Sequence, residues 1–476
     1  MIDVFLRRLP GMAPALLLAA CTSMAPPYAA PPLPVPAAYP ADAPMPAAGA
    51  QAARLEWADL FPDPALRHLV GQALAHNRDL RVAALRVEEA RAAYGIQRAE
   101  QWPTLGLGAE GSRARVPGDL NVTGRSVITS SRQVGLGVNA WELDFWGRIA
   151  SLRDAALQNY LASDAARRAV TVGLVAEVAN AYLSLRELDE RVAIARGTIA
   201  SREESLRIFT RRFEVGSTSR LELSQVRTLL AQAQSLGAQL EQARAAQAHA
   251  LAVLVGEPVA LPAAPQGLDE GAVHPLAAGL PSDLLAARPD ILAAEHRLRA
   301  AQANIGAARA AFFPRITLTG SLGTASAELD GLFQGGSRAW SFAPSLALPL
   351  FDAGRNQSNL DLAQARRDIA VASYEKAVQA AFREVADGLT AQQAIADQVH
   401  IQQTALAAQQ DRARLARLRY DHGATTFLEV LDAQRDLLSA EQQLVQTRRA
   451  LLSARVGLYA ALGGGAQTLP AAPETP

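Results

Sequence analysis

One repeat limits what this chain can fold into. Arg212-Phe213-Glu214-Val215-Gly216-Ser217-Thr218-Ser219-Arg220-Leu221-Glu222-Leu223 returns 207 residues later as Arg419-Tyr420-Asp421-His422-Gly423-Ala424-Thr425-Thr426-Phe427-Leu428-Glu429-Val430. In each copy a single glycine interrupts two very long helical patterns. From Arg148 to Phe213 the only breakers are Gly173 and Gly197. Thr171, Leu174, Val178, Ala181, Leu185, Leu188, Val192, Ala195 and Ile199 alternate steps of three and four, a sustained heptad seam. About 66 helical residues span roughly 100 Å, more than a globular domain of this size needs. After Gly216 the seam continues through Val226, Leu229, Ala233, Leu236 and Leu240. After Gly423 it continues as two seven-residue rows, Val430, Leu437, Leu444, Leu451, Leu458 and Leu431, Leu438, Val445, Leu452, Tyr459. Gly216 and Gly423 are expected to be left-handed residues that turn each long helix back on the next.

Ahead of each long helix the period changes from 3.6 to 2. Trp102-Pro103 ends a helical pattern, and Leu105, Leu107 and Ala109 then alternate with Gly106, Gly108 and Glu110. After a polar loop, Val134, Leu136, Val138 and Ala140 alternate with Gln133, Gly135, Gly137 and Asn139. The second half repeats the order. Phe313-Pro314 stops a helix, and Ile316, Leu318, Gly320 and Leu322 alternate with Arg315, Thr317, Thr319 and Ser321. Trp340, Phe342, Leu346, Leu348 and Leu350 then alternate with smaller residues, interrupted by Pro344 and Pro349, which predict a short or bent strand. The pattern predicts four strands of about 8–11 residues, the length of a tilted membrane-spanning strand. Trp141 and Trp146 stand where interface aromatics would lie. Four strands cannot close a barrel, and an open edge in lipid leaves backbone groups unpaired, so closure must come from further copies. Two copies leave little lumen, and three leave room for one.

Composition narrows the function classes. The 46 basic and 46 acidic residues cancel, which removes any general attraction to nucleic acid. Aromatics make up 5% of the chain, little for one large core but enough for close-packed, Ala-rich helices. Gly106-Leu107-Gly108-Ala109-Glu110-Gly111 matches a dinucleotide fingerprint, but it lies within a strand pattern with no helix opening after it. No catalytic, cofactor-binding or metal-ligand constellation is found, so no enzyme, cofactor or metal is expected.

The single cysteine excludes an intramolecular disulfide. Arg7 and Arg8 precede a short apolar run that ends Leu18-Ala19-Ala20-Cys21, which resembles the bacterial lipobox. That resemblance implies cleavage before Cys21 and acylation of it. The expected organisation is a signal peptide over 1–20 and a lipidated Pro/Ala-rich tether over 21–58. Two repeats follow over 59–256 and 289–463, with a connection over 257–288 and a disordered tail over 464–476.

Lipobox, strand pairs, Gly-turned helix pairs and the segment Arg419 to Arg435 together resemble the TolC-like outer membrane efflux channels. The likeness is to the lipoprotein branch that includes OprM and NodT. It implies a mainly α fold with a membrane β-barrel: a homotrimer with a 12-stranded β-barrel continuous with a periplasmic 12-helix α-barrel. It also implies an outer-membrane lipid environment, a periplasmic adaptor protein and an inner-membrane transporter of the RND type. The expected function is a passive exit duct for small molecules and drugs. A duct for polypeptide secretion and a lipid-anchored coiled-coil scaffold without a pore are the alternatives, and the repeated strand pairs count against the scaffold. The family's acidic aperture ring and its bonding partners map onto Glu429, Asp432, Tyr420 and Arg435. Glu429 and Asp432, three apart, share one helix face. Either they crowd carboxylates around the periplasmic mouth, or they form a solvated face on which Asp432 pairs with Arg435. The first-repeat counterparts are Glu222 and Gln225, so the two repeats differ at the second position. Gly216, Ser217, Thr218, Gly423, Ala424 and Thr425 lie at the free ends of the helix pairs and are candidate adaptor contacts.

Overall fold

A computed structural model of the chain describes residues 24–36, 55–259, 261, 268–276 and 288–466. Cys21 lies outside the described residues. Helices α1 (Trp57–Leu60), α2 (Pro64–His76) and α3 (Arg78–Ala99) come first, followed by strands β1 (Leu105–Val116) and β2 (Val127–Glu142). Helices α4 (Arg148–Glu214) and α5 (Arg220–Val255) complete the first half. The second half holds α6 (Pro289–Ala310), β3 (Arg315–Ser326), β4 (Arg338–Ala347), α7 (Arg355–Asp421) and α8 (Phe427–Ala461). The described residues fall into two compact units. One gathers Val87–Ala162 and Ala294–Tyr374, together with the N-terminal residues up to Pro32. The other gathers Leu33–Arg86, Ser163–Ala293 and Glu375 onward.

The first unit is built on one antiparallel sheet of order β1-β2-β3-β4. Its register pairs Leu107 with Leu136, Leu136 with Leu322, and Leu322 with Trp340. Since side chains alternate along a strand, those residues share a face with Leu105, Val138, Leu318, Phe342 and Leu346. The other face carries Gly106, Gly108, Gly135, Gly137, Ser321, Gly323, Ser341 and Ser345. The apolar face is uncovered in one chain: Leu107 and Trp340 are each 77% exposed. Both edges of the sheet, β1 and β4, are unpaired. β1, β2 and β3, with 12, 16 and 12 residues, exceed the expected 8–11, and β4 meets it with 10. The added length of β2 is the polar run Thr129-Ser130-Ser131, which pairs with Ser112, Arg113 and Ala114 although it reads as loop. β4 is the shortest strand and ends before Leu348 and Leu350.

At the foot of the sheet Glu142 is fixed by Arg148, with two bonds of 2.8 Å, and by Arg315 at 2.6 Å. Trp146 donates to the Pro314 carbonyl at 2.8 Å and stacks on Phe313 with centroids 4.7 Å apart. These contacts join the end of β2 to the start of β3, so the two hairpins leave the helices as one sheet.

In the second unit the heptad seams are the core. Leu174, Val178, Leu185, Leu188, Val192 and Ala195 of α4 are buried, as are Val430, Leu444, Leu451, Leu458, Leu431, Val445, Leu452 and Tyr459 of α8. Asn77 divides α2 from α3: its backbone amide donates to the Ala73 carbonyl of α2 and its side-chain oxygen accepts from the Leu80 amide of α3, each at 2.8 Å, while its side-chain amide ties both to the Leu254 carbonyl of α5, also at 2.8 Å. Among the described residues no helix is long and apolar enough to cross a membrane.

Two expectations are corrected. Residues 464–466 are buried rather than the start of a loose tail. Gly463, Gly464 and Gly465 all have positive φ and fold the chain back onto Tyr459, whose hydroxyl donates to the Leu55 carbonyl at 3.0 Å. Residues 467–476 lie outside the described residues. The segment after Met24 is not a free tether along its whole length, because Met24 to Tyr28 are held against α6.

Candidate functional site at the helix turns

Both repeat turns close by the same hydrogen bonds. The Ser217 amide donates to the Arg212 carbonyl at 2.8 Å and the Gly216 amide to Phe213 at 3.0 Å. In the second turn Ala424 donates to Arg419 at 2.8 Å and Gly423 to Tyr420 at 2.9 Å. This 6→1, 5→2 pair is the Schellman motif, which needs a left-handed residue at its glycine. The φ values are +75° at Gly216 and +73° at Gly423. A Cβ at either site would meet nothing within 4 Å, so conformation alone requires glycine there. Gly423→Ala should therefore cost about 1 kcal/mol and speed hydrogen exchange at the Ala424 amide about fivefold. Unchanged exchange would contradict the assignment.

The following helices are capped differently. At α5, Ser219 and Glu222 form a closed capping box, and Thr218 donates to Glu222 at 2.6 Å. The Thr218 hydroxyl, and then the amide and hydroxyl of Ser219, hold the Glu222 carboxyl below its ordinary pKa. At α8, Thr426 makes no side-chain cap. Glu429 instead accepts from the Thr425 hydroxyl and, at 2.7 Å, from the Arg419 guanidinium across the turn.

The turns are joined by a cluster drawn from both repeats: Phe209, Leu223 and Val226 from the first, and Ala416, Phe427, Val430, Leu431 and Ala433 from the second. Phe427 packs on Phe209 and Tyr420 with centroids 4.2 and 4.9 Å apart. Arg212 lies 5.6 Å from the Tyr420 ring centroid and donates to its hydroxyl. In one chain, then, Tyr420 bonds Arg212 and not the carboxylates expected beside it.

Asp432 is 3.2 Å from Arg435, and Arg435 is 3.0 Å from Asp436. Asp436 in turn accepts from Arg412 of α7 at 2.7 Å. Arg412, and then Arg435, hold the Asp436 carboxyl below the usual range. Glu429 thus pairs with Arg419, and separately Asp432, Arg435, Asp436 and Arg412 alternate in sign. The i,i+3 rule placed Glu429 and Asp432 on one face, and the pairing of Asp432 with Arg435 was one of the two readings it left open; it did not reveal that Glu429 is held by Arg419. Arg212 and Arg419 occupy equivalent positions in the repeat, and that equivalence was the available signal. Nothing local to the sequence points to Arg412 or Asp436. Among the described residues no group of His, Cys, Asp and Glu could hold a metal.

The sequence model of the outer membrane efflux proteins matches residues 69–257 and again 280–464. The chain belongs to this family. It is 46% identical to the outer membrane protein OprJ of Pseudomonas aeruginosa, over 95% of this chain and 94% of that one. It is also 46% identical to the toluene efflux pump outer membrane protein TtgI of Pseudomonas putida, over 95% of this chain and 97% of the relative. The open state of the MtrE outer membrane channel of Neisseria gonorrhoeae superposes with a TM-score of 0.84 at 38% identity, covering 93% of this chain and 98% of that one. As an outer membrane efflux protein it has the TolC-like fold, mainly α with a four-stranded share of a membrane β-barrel. Its place is the outer membrane, and its family is one of channels rather than enzymes.

Proposed function

We propose that three copies of this chain form the exit duct of a tripartite efflux pump, conducting small molecules passively to the outside. The observation that supports it is the sheet β1 to β4, with one apolar face, one face of small and polar residues, and two open edges. In lipid each open edge must meet the next copy, and twelve strands enclose a lumen where eight enclose little. TtgI is named for toluene efflux, which favours small molecules over polypeptides. The partners in this reading are a periplasmic adaptor and an inner-membrane transporter of the RND type. Native mass spectrometry of the detergent-purified protein should give three copies; a monomer would contradict the duct.

In the same reading Cys21 carries the lipid, and residues 59–256 and 289–463 are the two repeats, joined by 257–288. Gly216, Ser217, Thr218, Gly423, Ala424 and Thr425 meet the adaptor. Glu429, Asp432, Tyr420 and Arg435 line the periplasmic mouth. The unlike caps of α5 and α8 support movement of the second helix pair while the first stays fixed. Glu429→Ala combined with Asp432→Ala frees Arg419 and part of the charge on Arg435. Bilayer conductance should then rise or cation selectivity fall. If both stayed unchanged, the residues would be no more than a solvated face.

A further inference from the structure

The N-terminal segment runs antiparallel along α6 and is fastened at each step. Arg309 donates to the Met24 carbonyl at 3.4 Å. Gln302 donates to the carbonyls of Pro26 and Pro27 at 3.2 and 2.8 Å. Tyr28 donates to Glu295 at 3.0 Å, and the Arg299 guanidinium lies 4.6 Å from its ring centroid. Burial, then the Glu295 charge, push the Tyr28 hydroxyl upward from its ordinary value. Two consecutive prolines hold the backbone extended and offer only acceptors, which the Gln302 amide fills. Gly306 supplies the seat: a Cβ there would lie 2.7 Å from the Ala25 nitrogen and 2.6 Å from the Ser151 hydroxyl. Glycine at this point of the helix leaves room for the strap.

A Pro/Ala-rich segment of this length, if unpinned, would let its lipid roam over about 35 Å. Pinned at Met24, Cys21 can reach only about 10 Å, three peptide steps. The pin lies at the last turn of α6, which leads through Phe312 and Phe313 into β3. We propose that Met24 to Tyr28 form a latch on α6 that positions the lipid anchor beside the foot of β3, so that the acylated N-terminus and the β3–β4 hairpin enter the membrane together. The proposal rests on acylation of Cys21. Tyr28, Gln302 and Gly306 are then positioning residues that act through the anchor. Confinement from about 35 to about 10 Å raises the anchor's effective concentration in the membrane plane about tenfold.

The test is a double-mutant cycle on the full chain, read by pulse-chase formation of heat-resistant oligomer in outer membranes. Gly306→Val and Tyr28→Ala are each made with Cys21 present and in Cys21→Ser. With Cys21 present, either change should slow oligomer formation about tenfold; in Cys21→Ser, less than twofold. Equal slowing in both backgrounds would make the latch merely structural and overturn the proposal, as would wild-type rates in the acylated variants. Tyr28→Ala leaves α6 intact and keeps the test open if Gly306→Val fails to fold. The intact mass of the wild-type protein separates the two readings. A mass without acyl chains removes the lipid anchor and the proposal with it, whereas an acylated chain with additive effects removes the proposal alone.

Discussion

Gly323→Val is expected to deplete the outer membrane of folded channel. Gly323 pairs with Gly135 on the small-residue face of the sheet. A Cβ on Gly323 would overlap the Val134 carbonyl oxygen, and one on Gly135 would lie 2.7 Å from the Leu322 oxygen and 2.9 Å from the Gly323 Cα. The obstructing atoms are backbone, so no rotamer change relieves them. β2 and β3 must move apart just where the two hairpins join. A cost of about 3 kcal/mol per chain, the upper end of overpacking, lowers the folded population about a hundredfold. Every copy in an oligomer would carry the same defect. Heat-modifiable mobility of outer-membrane fractions measures the effect. Gly106→Ala and Gly108→Ala are the controls: a Cβ at either meets nothing within 4 Å, and both should assemble normally. Normal assembly of Gly323→Val would mean that β2 and β3 do not pair in this register.

Phe427→Ala is expected to loosen the turns and leave the barrel intact. Phe427 is 3% exposed and packs against Phe209 of the first repeat and Tyr420 of the second. Truncating a buried phenylalanine costs 3–5 kcal/mol on the usual scale, through lost contacts and the cavity left behind. The loss falls on a cluster that holds the two helix pairs together, so it should appear as local opening. Amide exchange around residues 209–223 and 416–433 should accelerate by at least about a hundredfold, with β1 to β4 protected as before. Phe427→Leu, which keeps most of the volume, should show a much smaller effect. Unchanged exchange at the turns would mean that the cluster does not join the repeats.

The parts of this fold that were legible in the sequence rest on strong periodicity. Seam residues such as Leu185, Val192, Leu444 and Leu451 are buried as their spacing predicts. The alternation at Leu105, Leu136, Leu322 and Trp340 puts them on one face of one sheet. Gly216 and Gly423 take the left-handed conformation that a helix reversal demands. What could not be read depends on contacts between distant elements. The polar start of β2 becomes strand only because β1 pairs with it. Met24 to Tyr28 have no period, and it is their backbone carbonyls and one tyrosine that are held, by the side chains of Arg309, Gln302, Arg299 and Glu295 on α6. Residues from 464 on read as a disordered tail, but positive φ at Gly463, Gly464 and Gly465 brings the chain back over Tyr459. At the turns, spacing put Glu429 and Asp432 together as like charges. It could not show that Arg419 reaches across the turn, or that Asp436 joins Arg435 to Arg412.

Single-channel recording from the purified protein in planar bilayers tests the duct most directly. A closed twelve-stranded barrel with a small-residue interior predicts discrete conductance steps. Those steps should disappear in Gly323→Val and persist in Gly106→Ala. Purified protein that folds and inserts but carries no current would contradict the account.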